Sequence, residues 1–222
     1  MCYTIEINLT REQIEKRFNA RFRNGSDFEP RQKVSAFTLP DLPVICSDSA
    51  DEVKLFTWGL IPFWVKNEED AKSIRTKTFN ARAETIANKA SYRNSFKSKR
   101  CLVLADGFYE WHTSGKEKIP YFINLKDNSP FALAGLYDNW LNRETGEYIN
   151  TFTVITTRAN PMLEKIHNLK KRMPVILPPD IEKQWLDINL PLPDLQMMLE
   201  PFNEKLMNAE RIEKSLFFNN NF

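Results

Sequence analysis

Short runs of β-branched and aromatic residues, separated by turn residues, recur along most of the chain. Such runs are typical of β-strands, because alternating or continuous apolar residues cover one or both faces of a sheet. The predicted strands are residues 34–38, 44–47, 53–58, 101–104, 108–112, 121–125, 131–137 and 151–156. This pattern favours a strand-rich fold with some helix over a helical bundle.

Helix signals are fewer and more local. Thr10 and Gln13 have the spacing of a capping box, in which each side chain hydrogen-bonds the backbone of the other residue. Asn24-Gly25 is a typical helix end. The apolar stripe between these signals consists of Ile14, Phe18 and Phe22. Further helices are predicted over residues 83–90, after Asn160-Pro161 with proline at the first helical position, and over residues 180–186.

The chain has 222 residues, of which 42% are hydrophobic, and this suits one domain with a sizeable core. It contains no run of about 18 apolar residues, and its start lacks the basic region and apolar run of a signal peptide. The sequence therefore predicts a cytoplasmic protein without a membrane span, associated with the nucleoid if the source is bacterial. Three cysteines without CxxC spacing and only two histidines argue against a disulfide framework or a metal site.

Basic residues are concentrated in two acid-free runs, residues 85–100 and 165–172, although the net charge is only +2. Basic side chains with aromatic neighbours suit a nucleic-acid backbone and its stacked bases, whereas a solvated surface is the alternative interpretation. The first run carries Lys89, Tyr92, Arg93, Phe96, Lys97, Lys99 and Arg100, and the second carries Lys165, His167, Lys170, Lys171 and Arg172.

Cys2 becomes an unusual nucleophile if the initiator Met1 is removed. Its amine and thiol would lie two carbons apart, so that the amine can condense with an aldehyde and the thiol can close a thiazolidine ring on the same carbon. An α-amino group has a pKa near 7.7, so roughly a sixth of it is free base at pH 7, against roughly 0.04% of a lysine. The thiol, with a pKa near 8.5, needs a neighbouring base. An inert cysteine near a frayed terminus is the alternative.

Two aromatic segments carry further candidates. Trp58 and Trp64 flank a rigid turn that contains a proline, and we expect Trp58 in the core and Trp64 with a flat face towards a base. Glu110 lies between aromatic residues, where loss of solvent would raise the pKa of its carboxyl group and suit proton transfer near neutral pH. An exposed glutamate on an alternating strand is the alternative.

Several polar residues stand where a helix entrance or a phosphate contact is expected. Asn80 and Arg82 precede or open the predicted helix over residues 83–90. Asn80 either caps that helix or belongs to a site, and an anion ligand would explain a basic residue in its first turn. Thr156 stands before another helix entrance, where a hydroxyl group suits an anion. Arg172 precedes an apolar run and is expected to reach a phosphate.

These segments, in this order, resemble the SRAP family, also called SOS response-associated peptidases or abasic-site processing proteins. The matching strings begin at Met1-Cys2 and continue at residues 58–64, 79–85, 107–111, 156–161 and 172–177. Several separate motifs in a fixed order are more specific than any one of them. The resemblance implies an α+β fold: a single SRAP-like domain with a mixed, β-barrel-like sheet and peripheral helices. Its core would span about residues 2–185, followed by a C-terminal extension over 186–222.

The resemblance also implies roles for individual residues. In the family the initiator methionine is removed, and the new N-terminal cysteine binds the ring-opened abasic deoxyribose of single-stranded DNA covalently, as a thiazolidine. The catalytic residues carried over are Cys2 as nucleophile, Asn80 as the residue that orients it, Glu110 as acid and base, and His167 facing the sugar or phosphate. The DNA-contact candidates are Arg82, Trp64, Arg172, Thr156 and Trp111. Neither a cofactor nor a metal is implied.

Two features depart from the family pattern. The family usually begins Met-Cys-Gly-Arg, whereas Tyr3 and Thr4 follow Cys2 here, so an arginine beside the nucleophile is missing. In the family's more common spacing the histidine lies two residues before the arginine of the Arg-Met-Pro motif. Here residues 168–171 separate His167 from Arg172.

The sequence therefore predicts a monomeric DNA-repair protein that crosslinks to abasic sites in single-stranded DNA and has replication proteins as further partners. Self-catalysed removal of Met1 would be a peptidase (hydrolase) activity, and lyase activity is the other enzyme class expected. Two alternatives stay open. The first is an N-terminal-nucleophile amidohydrolase in which the Cys2 sulfur attacks an amide, and the second is a single-stranded DNA-binding module without chemistry.

Overall fold

The computed structural model describes residues 2–23 and 27–213. Met1 and the predicted helix end Asn24-Gly25 lie outside the described residues. The strands are β1 (Thr4–Ile7), β2 (Arg21–Phe22), β3 (Arg31–Ser35), β4 (Asp41–Cys46), β5 (Ser49–Trp58), β6 (Asn80–Arg82), β7 (Arg100–Ala105), β8 (Gly107–Ser114), β9 (Glu117–Leu125), β10 (Phe131–Leu141), β11 (Tyr148–Arg158), β12 (Arg172–Pro174), β13 (Ile176–Leu177) and β14 (Met207–Arg211). The α-helices are α1 (Arg11–Phe18), α2 (Glu68–Arg75), α3 (Arg93–Ser98), α4 (Pro161–Ile166), α5 (Pro179–Leu186) and α6 (Leu192–Met197).

Five strands close into a barrel. Their order is β11-β10-β7-β4-β5, and the ring closes because β5 also pairs with β11, in parallel. A second sheet has the order β14-β9-β8-β1-β3. The helices lie around these sheets, so the predicted α+β fold with a mixed, barrel-like sheet is confirmed. None of the helices in the described parts of the chain is long and apolar enough to span a membrane.

The barrel is packed tightly at its centre. Trp58 and Phe152 are fully buried and stack with ring centroids 5.9 Å apart. A Cβ atom at Gly135 would lie only 2.8 Å from both the Sγ atom of Cys101 and a methyl group of Val103. Glycine is therefore needed at this position by the close approach of neighbouring strands, because interiors have no room for an added methyl group.

The strand predictions are confirmed, except that the first predicted strand ends earlier than expected. Each predicted strand overlaps an observed strand of the two sheets, and several observed strands extend further. The strand predicted over residues 34–38 ends at Ser35, because Ala36–Thr38 forms a 3₁₀ turn that Leu39 closes with a left-handed φ of 53°. Six observed strands were not predicted, since they are short or lack a strong alternating pattern: β1, β2, β6, β12, β13 and β14.

Three of the predicted helices are confirmed and one is wrong. The Thr10-Gln13 capping box opens α1, and Asn160 and Pro161 open α4 as predicted. The third is α5, which covers the predicted residues 180–186. Residues 83–90 form turns instead of a helix, because the chain before them joins the barrel as β6, parallel to β11.

Helix α1 is shorter than predicted. It ends at Phe18, where Asn19 adopts a left-handed φ of 51°. Phe22 consequently belongs to β2, and its ring packs on Phe28 instead of continuing the helical stripe. Asparagine adopts this left-handed conformation more readily than most other residues except glycine.

Residues beyond 185 are joined to the rest of the domain. Strand β14 pairs with β9 at the edge of the second sheet. The fully buried guanidinium of Arg100 donates hydrogen bonds to the carbonyl oxygens of Trp185 and Asp187, at 2.7 Å each. The described part of the predicted extension therefore packs onto the core instead of standing apart from it.

Candidate functional site around Cys2

Cys2 lies just before β1 and is fully buried. Its carbonyl oxygen accepts a hydrogen bond from the Asn80 Nδ2 atom at 2.8 Å. The Sγ atom lies 3.8 Å from the carbonyl oxygen of Thr4. Burial raises the pKa of the Cys2 thiol well above its ordinary range, and the charge of Glu110 raises it further. The thiol is therefore protonated near pH 7 and needs a base before it can act as a nucleophile.

Glu110 has the burial and the pKa that suit a general acid and base. It lies on β8, where alternation turns its side chain into the buried interior while its neighbour Trp111 points to the opposite face. Burial raises the pKa of Glu110 to about 7, although a hydrogen bond from the Trp111 backbone opposes the rise. The expectation of a desolvated carboxyl group is confirmed, and both of its protonation states are populated near neutral pH.

His167 ends α4 and contacts Glu110. Its Nδ1 atom lies 3.5 Å from Glu110 Oε1 and 2.9 Å from the carbonyl oxygen of Arg172. Because a carbonyl oxygen can only accept, Nδ1 is assigned the hydrogen and Nε2 is left as an acceptor. Burial lowers the pKa of His167 to about 4, so the ring is neutral near pH 7. Its contact with Glu110 is therefore not an ion pair at that pH, and a role of His167 at the sugar or phosphate stays a prediction that depends on hydrogen bonding instead of on charge.

The four residues between His167 and Arg172 form a loop that is hydrogen-bonded to β8. Asn168 exchanges two hydrogen bonds with the backbone of Thr113, at 2.8 and 3.0 Å. Lys171 turns the chain with a left-handed φ of 50° and donates its backbone N–H to the His167 carbonyl oxygen. The longer loop therefore still delivers the imidazole to Glu110.

Asn80 acts within a strand, contrary to the helix-cap alternative. It lies on β6, and its backbone carbonyl oxygen accepts from the hydroxyl group of Tyr92 at 3.2 Å. The Nδ2 atom is used by Cys2, whereas the buried Oδ1 atom has no hydrogen-bond partner among the described residues. A buried acceptor left open beside a candidate nucleophile is suited to a donor on an incoming ligand.

A polar groove of about 460 Å³ opens beside this cluster. We call it the basic groove; it is lined by Tyr3, Thr76, Lys77, Phe79, Asn80, Arg82, Thr85, Lys89 and Tyr92. Lys77, Arg82 and Lys89 supply positive charge, and no acidic residue lines it. Arg82 is exposed on β6 instead of standing in the first turn of a helix, which corrects its predicted context. The groove can hold an anionic chain against Asn80.

The two tryptophans of the predicted turn separate as expected. Trp58 is buried, and its Nε1 atom donates to the Phe79 carbonyl oxygen at 2.9 Å. Trp64 is exposed and lines a neighbouring cavity of about 420 Å³. Lys77 lines both this cavity and the basic groove, so the two are adjacent.

Arg172 and Thr156 are engaged inside the protein. The Arg172 guanidinium binds both carboxylate oxygens of Glu84, at 2.5 and 3.0 Å, and the Thr156 carbonyl oxygen. Thr156 is fully buried, and its hydroxyl group donates to the Ala81 carbonyl oxygen. From β12, Arg172 thus binds Glu84, just after β6, and Thr156 on β11, and it presents its carbonyl oxygen to His167. A phosphate contact of Arg172 or Thr156 stays a prediction, and it would compete with these internal contacts. Trp111 is only half-buried but faces away from Glu110.

The acid-free run over residues 85–100 does not form one basic face. Lys89 and Tyr92 line the basic groove, whereas Lys99 pairs with Asp138 at 2.6 Å and Arg100 is buried. Lys77 and Tyr3 were missed as groove residues, because neither stands in a basic run or a recognisable motif. Among the described residues no group of three His, Cys, Asp or Glu side chains is placed to hold a metal ion.

Comparison with known proteins adds a family. The family model described as SOS response associated peptidase (SRAP) matches residues 1–217. The chain is 39% identical over 215 residues to the abasic site processing protein YoqW of Bacillus subtilis, covering 96% of this chain and 92% of the relative. It is 38% identical over 176 residues to the abasic site processing protein HMCES of Xenopus tropicalis, covering 70% of this chain and 51% of the relative.

A solved structure agrees with the fold. A crystal structure of a protein from Bacteroides thetaiotaomicron superimposes with a TM-score of 0.93 and is 40% identical. The superposition covers 97% of this chain and 94% of that one.

Proposed function

The chain belongs to the SOS response associated peptidase (SRAP) family, and from that premise we propose that it processes abasic sites in single-stranded DNA by linking covalently to them through Cys2. The relatives named above are abasic site processing proteins. The observation that carries the proposal is the link between Cys2 and the basic groove through Asn80, which lines the groove and donates a hydrogen bond to Cys2. Asn80 holds its carbonyl oxygen at 2.8 Å, and Glu110 and His167 stand in contact beside it.

The amine of Cys2 is the first nucleophile in this proposal. Removal of Met1 would release it, with a pKa near 7.7 that leaves roughly a sixth as free base at pH 7. The thiol is a poor first nucleophile, since burial raises its pKa. This difference favours attack by nitrogen over the amidohydrolase alternative, which needs a thiolate to attack an amide.

Glu110 provides the proton transfers that open the sugar. An abasic deoxyribose is mainly a closed ring and exposes its aldehyde only when the ring oxygen receives a proton and the C1′ hydroxyl group loses one. A carboxyl group with a pKa of about 7 can donate and accept protons near neutral pH. The neutral imidazole of His167 offers Nε2 as a hydrogen-bond acceptor to a sugar hydroxyl group.

The covalent steps balance without an oxidant or a reductant. The Cys2 nitrogen bonds to C1′, and the aldehyde oxygen leaves as water, which gives an imine. The sulfur then bonds to the same carbon, the C=N bond becomes a single bond, and the thiol proton passes to nitrogen. The product is a thiazolidine, and one water molecule has been released.

The basic groove would carry the DNA strand past Cys2. Lys77, Arg82 and Lys89 line it and suit phosphate groups, while Trp64 in the adjoining cavity offers a face for stacking. Single-stranded DNA fits this arrangement because its bases are free to stack on aromatic side chains. A binding module without chemistry remains the second candidate, and the crosslinking experiment separates the two.

We expect the protein to form an adduct with single-stranded DNA that contains an abasic site, without borohydride. An imine alone would need reduction to survive denaturing electrophoresis, whereas a closed thiazolidine would not. The intact mass of the purified protein should show loss of Met1, and the adduct should have the summed mass of protein and DNA less one water. A heat-stable adduct formed equally well by protein that retains Met1 would overturn the proposed nucleophile.

We expect Arg82→Ala to weaken binding to single-stranded DNA and to flatten its dependence on salt. One lost phosphate contact should reduce the slope of log affinity against log salt by about 0.7. Arg93→Ala is the matched control, because Arg93 is exposed in the same region but does not line the basic groove. If both variants keep the wild-type slope, Arg82 does not contact the backbone of DNA.

A further inference from the structure

Three aromatic rings form a continuous cluster beside the basic groove. Tyr3 lies 5.2 Å from Phe37 between ring centroids, with the rings tilted by 39°. Phe79 meets both rings nearly edge-on, at 6.2 Å from Tyr3 and 5.3 Å from Phe37. Tyr3 and Phe79 line the groove, and Phe79 is buried beneath the other two. We call Tyr3 and Phe37, supported by Phe79, the aromatic platform.

Phe37 is held in place although it is exposed. It is the middle residue of the 3₁₀ turn Ala36–Thr38. The Ser35 hydroxyl group accepts from the Phe37 backbone N–H, and the Thr38 hydroxyl group donates to the Ser35 carbonyl oxygen at 2.8 Å. Ala36 donates its N–H to the Tyr3 carbonyl oxygen at 2.8 Å, which ties the turn to the residue after Cys2.

The exposure of this ring is unusual for its setting. Phe37 is 67% exposed, and one such ring by itself would need no explanation. Here, however, the exposed ring extends a packed aromatic cluster that borders a groove with three basic residues and no acidic one. A rigid aromatic surface beside positive charge is the combination that binds the bases and the backbone of a single strand.

We infer that the aromatic platform stacks the nucleobase of the nucleotide immediately next to the abasic site. This inference rests on the proposed function for the identity of the strand. Tyr3 follows Cys2 in the chain and lines the same groove as Asn80, which donates a hydrogen bond to the Cys2 carbonyl oxygen. A strand whose abasic C1′ is at Cys2 therefore brings its neighbouring base to Tyr3 and Phe37. Tyr3 would contribute to DNA binding in a chain that has Thr4 where the family usually has an arginine.

A docked protein is the competing occupant, and the charge pattern disfavours it. Protein interfaces bury larger apolar areas with few charges at their centre. Here the exposed ring of Phe37 contacts Tyr3, and Tyr3 lines the same groove as the basic residues Lys77, Arg82 and Lys89. A base with its phosphate satisfies both surfaces at once.

The experiment uses DNA with a tetrahydrofuran abasic analogue, which cannot crosslink, beside a fluorescent adenine analogue that dims when it stacks. The fluorescent base is placed immediately 5′ or immediately 3′ of the lesion, or several nucleotides away. We expect dimming on binding at one of the two adjacent positions and little change at the distant one. Phe37→Ala should remove most of that dimming and weaken binding by about 5- to 100-fold.

Controls separate stacking from loss of apolar surface or of folding. Tyr148→Ala is the matched variant, because Tyr148 is 68% exposed and lies away from the groove at the start of β11. It should leave the fluorescence and the affinity unchanged. Phe37→Trp should restore the dimming, whereas Phe37→Leu should not, although it keeps much of the apolar area.

A double comparison decides the contact itself. The DNA is also made with a second abasic analogue in place of the neighbouring nucleotide, so that the stacked base is missing. If the platform stacks that base, Phe37→Ala should weaken binding to the one-lesion strand but not further weaken binding to the two-lesion strand. An equal effect of Phe37→Ala on both strands, or none on either, overturns the inference.

The outcome is separable from that of the proposed function. Crosslinking of wild-type protein to a true abasic site tests the chemistry, and the analogue tests the platform. Persistent crosslinking together with Phe37-independent fluorescence would reject the platform alone. Phe37-dependent dimming without any crosslink would reject the chemistry and keep the platform.

Discussion

Cys2→Ala is expected to abolish the heat-stable adduct with abasic single-stranded DNA. Alanine keeps the N-terminal amine, so an imine can still form, but no sulfur is present to close the ring on C1′. An unclosed imine hydrolyses when the sample is denatured. Alanine is also a small second residue, so Met1 should still be removed, and the intact mass of the variant checks this.

The comparison variants place the loss on the N-terminal thiol. Cys2→Ser keeps the amine and offers a weaker nucleophile, so it should give at best a faint adduct. Cys46→Ala removes another buried thiol, on β4 in the barrel, and should crosslink like the wild type. Adduct yields for Cys2→Ala equal to those of the wild type would mean that a different residue reacts.

Glu110→Gln is expected to slow crosslinking by about 10²- to 10⁴-fold, the usual contribution of a general acid or base. Glutamine keeps the shape of the side chain and removes its ability to exchange a proton. Binding to undamaged single strands should change little, because Glu110 is buried and does not line the basic groove. Equal losses in binding and in crosslinking would make Glu110 a structural residue.

The pH dependence gives this prediction a second readout. Ring opening needs the protonated form of Glu110, whose pKa is about 7, so the wild-type rate should fall as the pH rises above that value. Glu110→Gln should lose this falling limb and keep the rise caused by deprotonation of the amine. With an oligonucleotide that carries a linear aldehyde, no ring opening is needed. The crosslinking rates of Glu110→Gln and wild-type protein should then differ less.

Stability measurements guard against misfolding as the cause. Burial raises the pKa of Glu110 from 4.5 to about 7, so the folded state binds the proton more tightly than the unfolded state. The carboxylate therefore costs stability that accumulates between about pH 4.5 and 7 and persists above pH 7. Glu110→Gln removes that cost, on the order of 3 kcal/mol, and should raise Tm at pH 8 more than at pH 5. If Glu110→Gln changes Tm no more favourably at pH 8 than at pH 5, the raised pKa of Glu110 is contradicted.

Local sequence was sufficient for elements whose stabilisation is local or repetitive. The Thr10-Gln13 capping box and the proline after Asn160 satisfy helix ends within a few residues, and both were recognisable. The barrel strands carry enough apolar and β-branched residues to be read from pattern alone. The burial of Trp58 likewise followed from its position in an apolar strand.

Elements that depend on distant partners were not recognisable in the same way. Residues 80–82 resemble a helix entrance, yet pairing with β11 converts them into a strand, because a long-range ladder outweighs weak local preference. Lys77 and Tyr3 gain their meaning only because the folded chain brings them to the same groove. Arg100 reads as a surface base and is fully buried because backbone carbonyl oxygens receive its guanidinium.

The sequence by itself determined the family, the strand-rich barrel and the identity of the groups that gather at Cys2, because these depend on residue types and their order. Only the tertiary structure decided their chemical states and contacts. Burial in the folded chain raises the pKa of Glu110 to about 7 and keeps His167 neutral near pH 7, and the fold brings Arg172 into contact with Glu84. It also placed Phe37 beside Tyr3. The physical reason is that desolvation, hydrogen bonding and ring contact depend on neighbours distant in sequence, which local patterns do not specify.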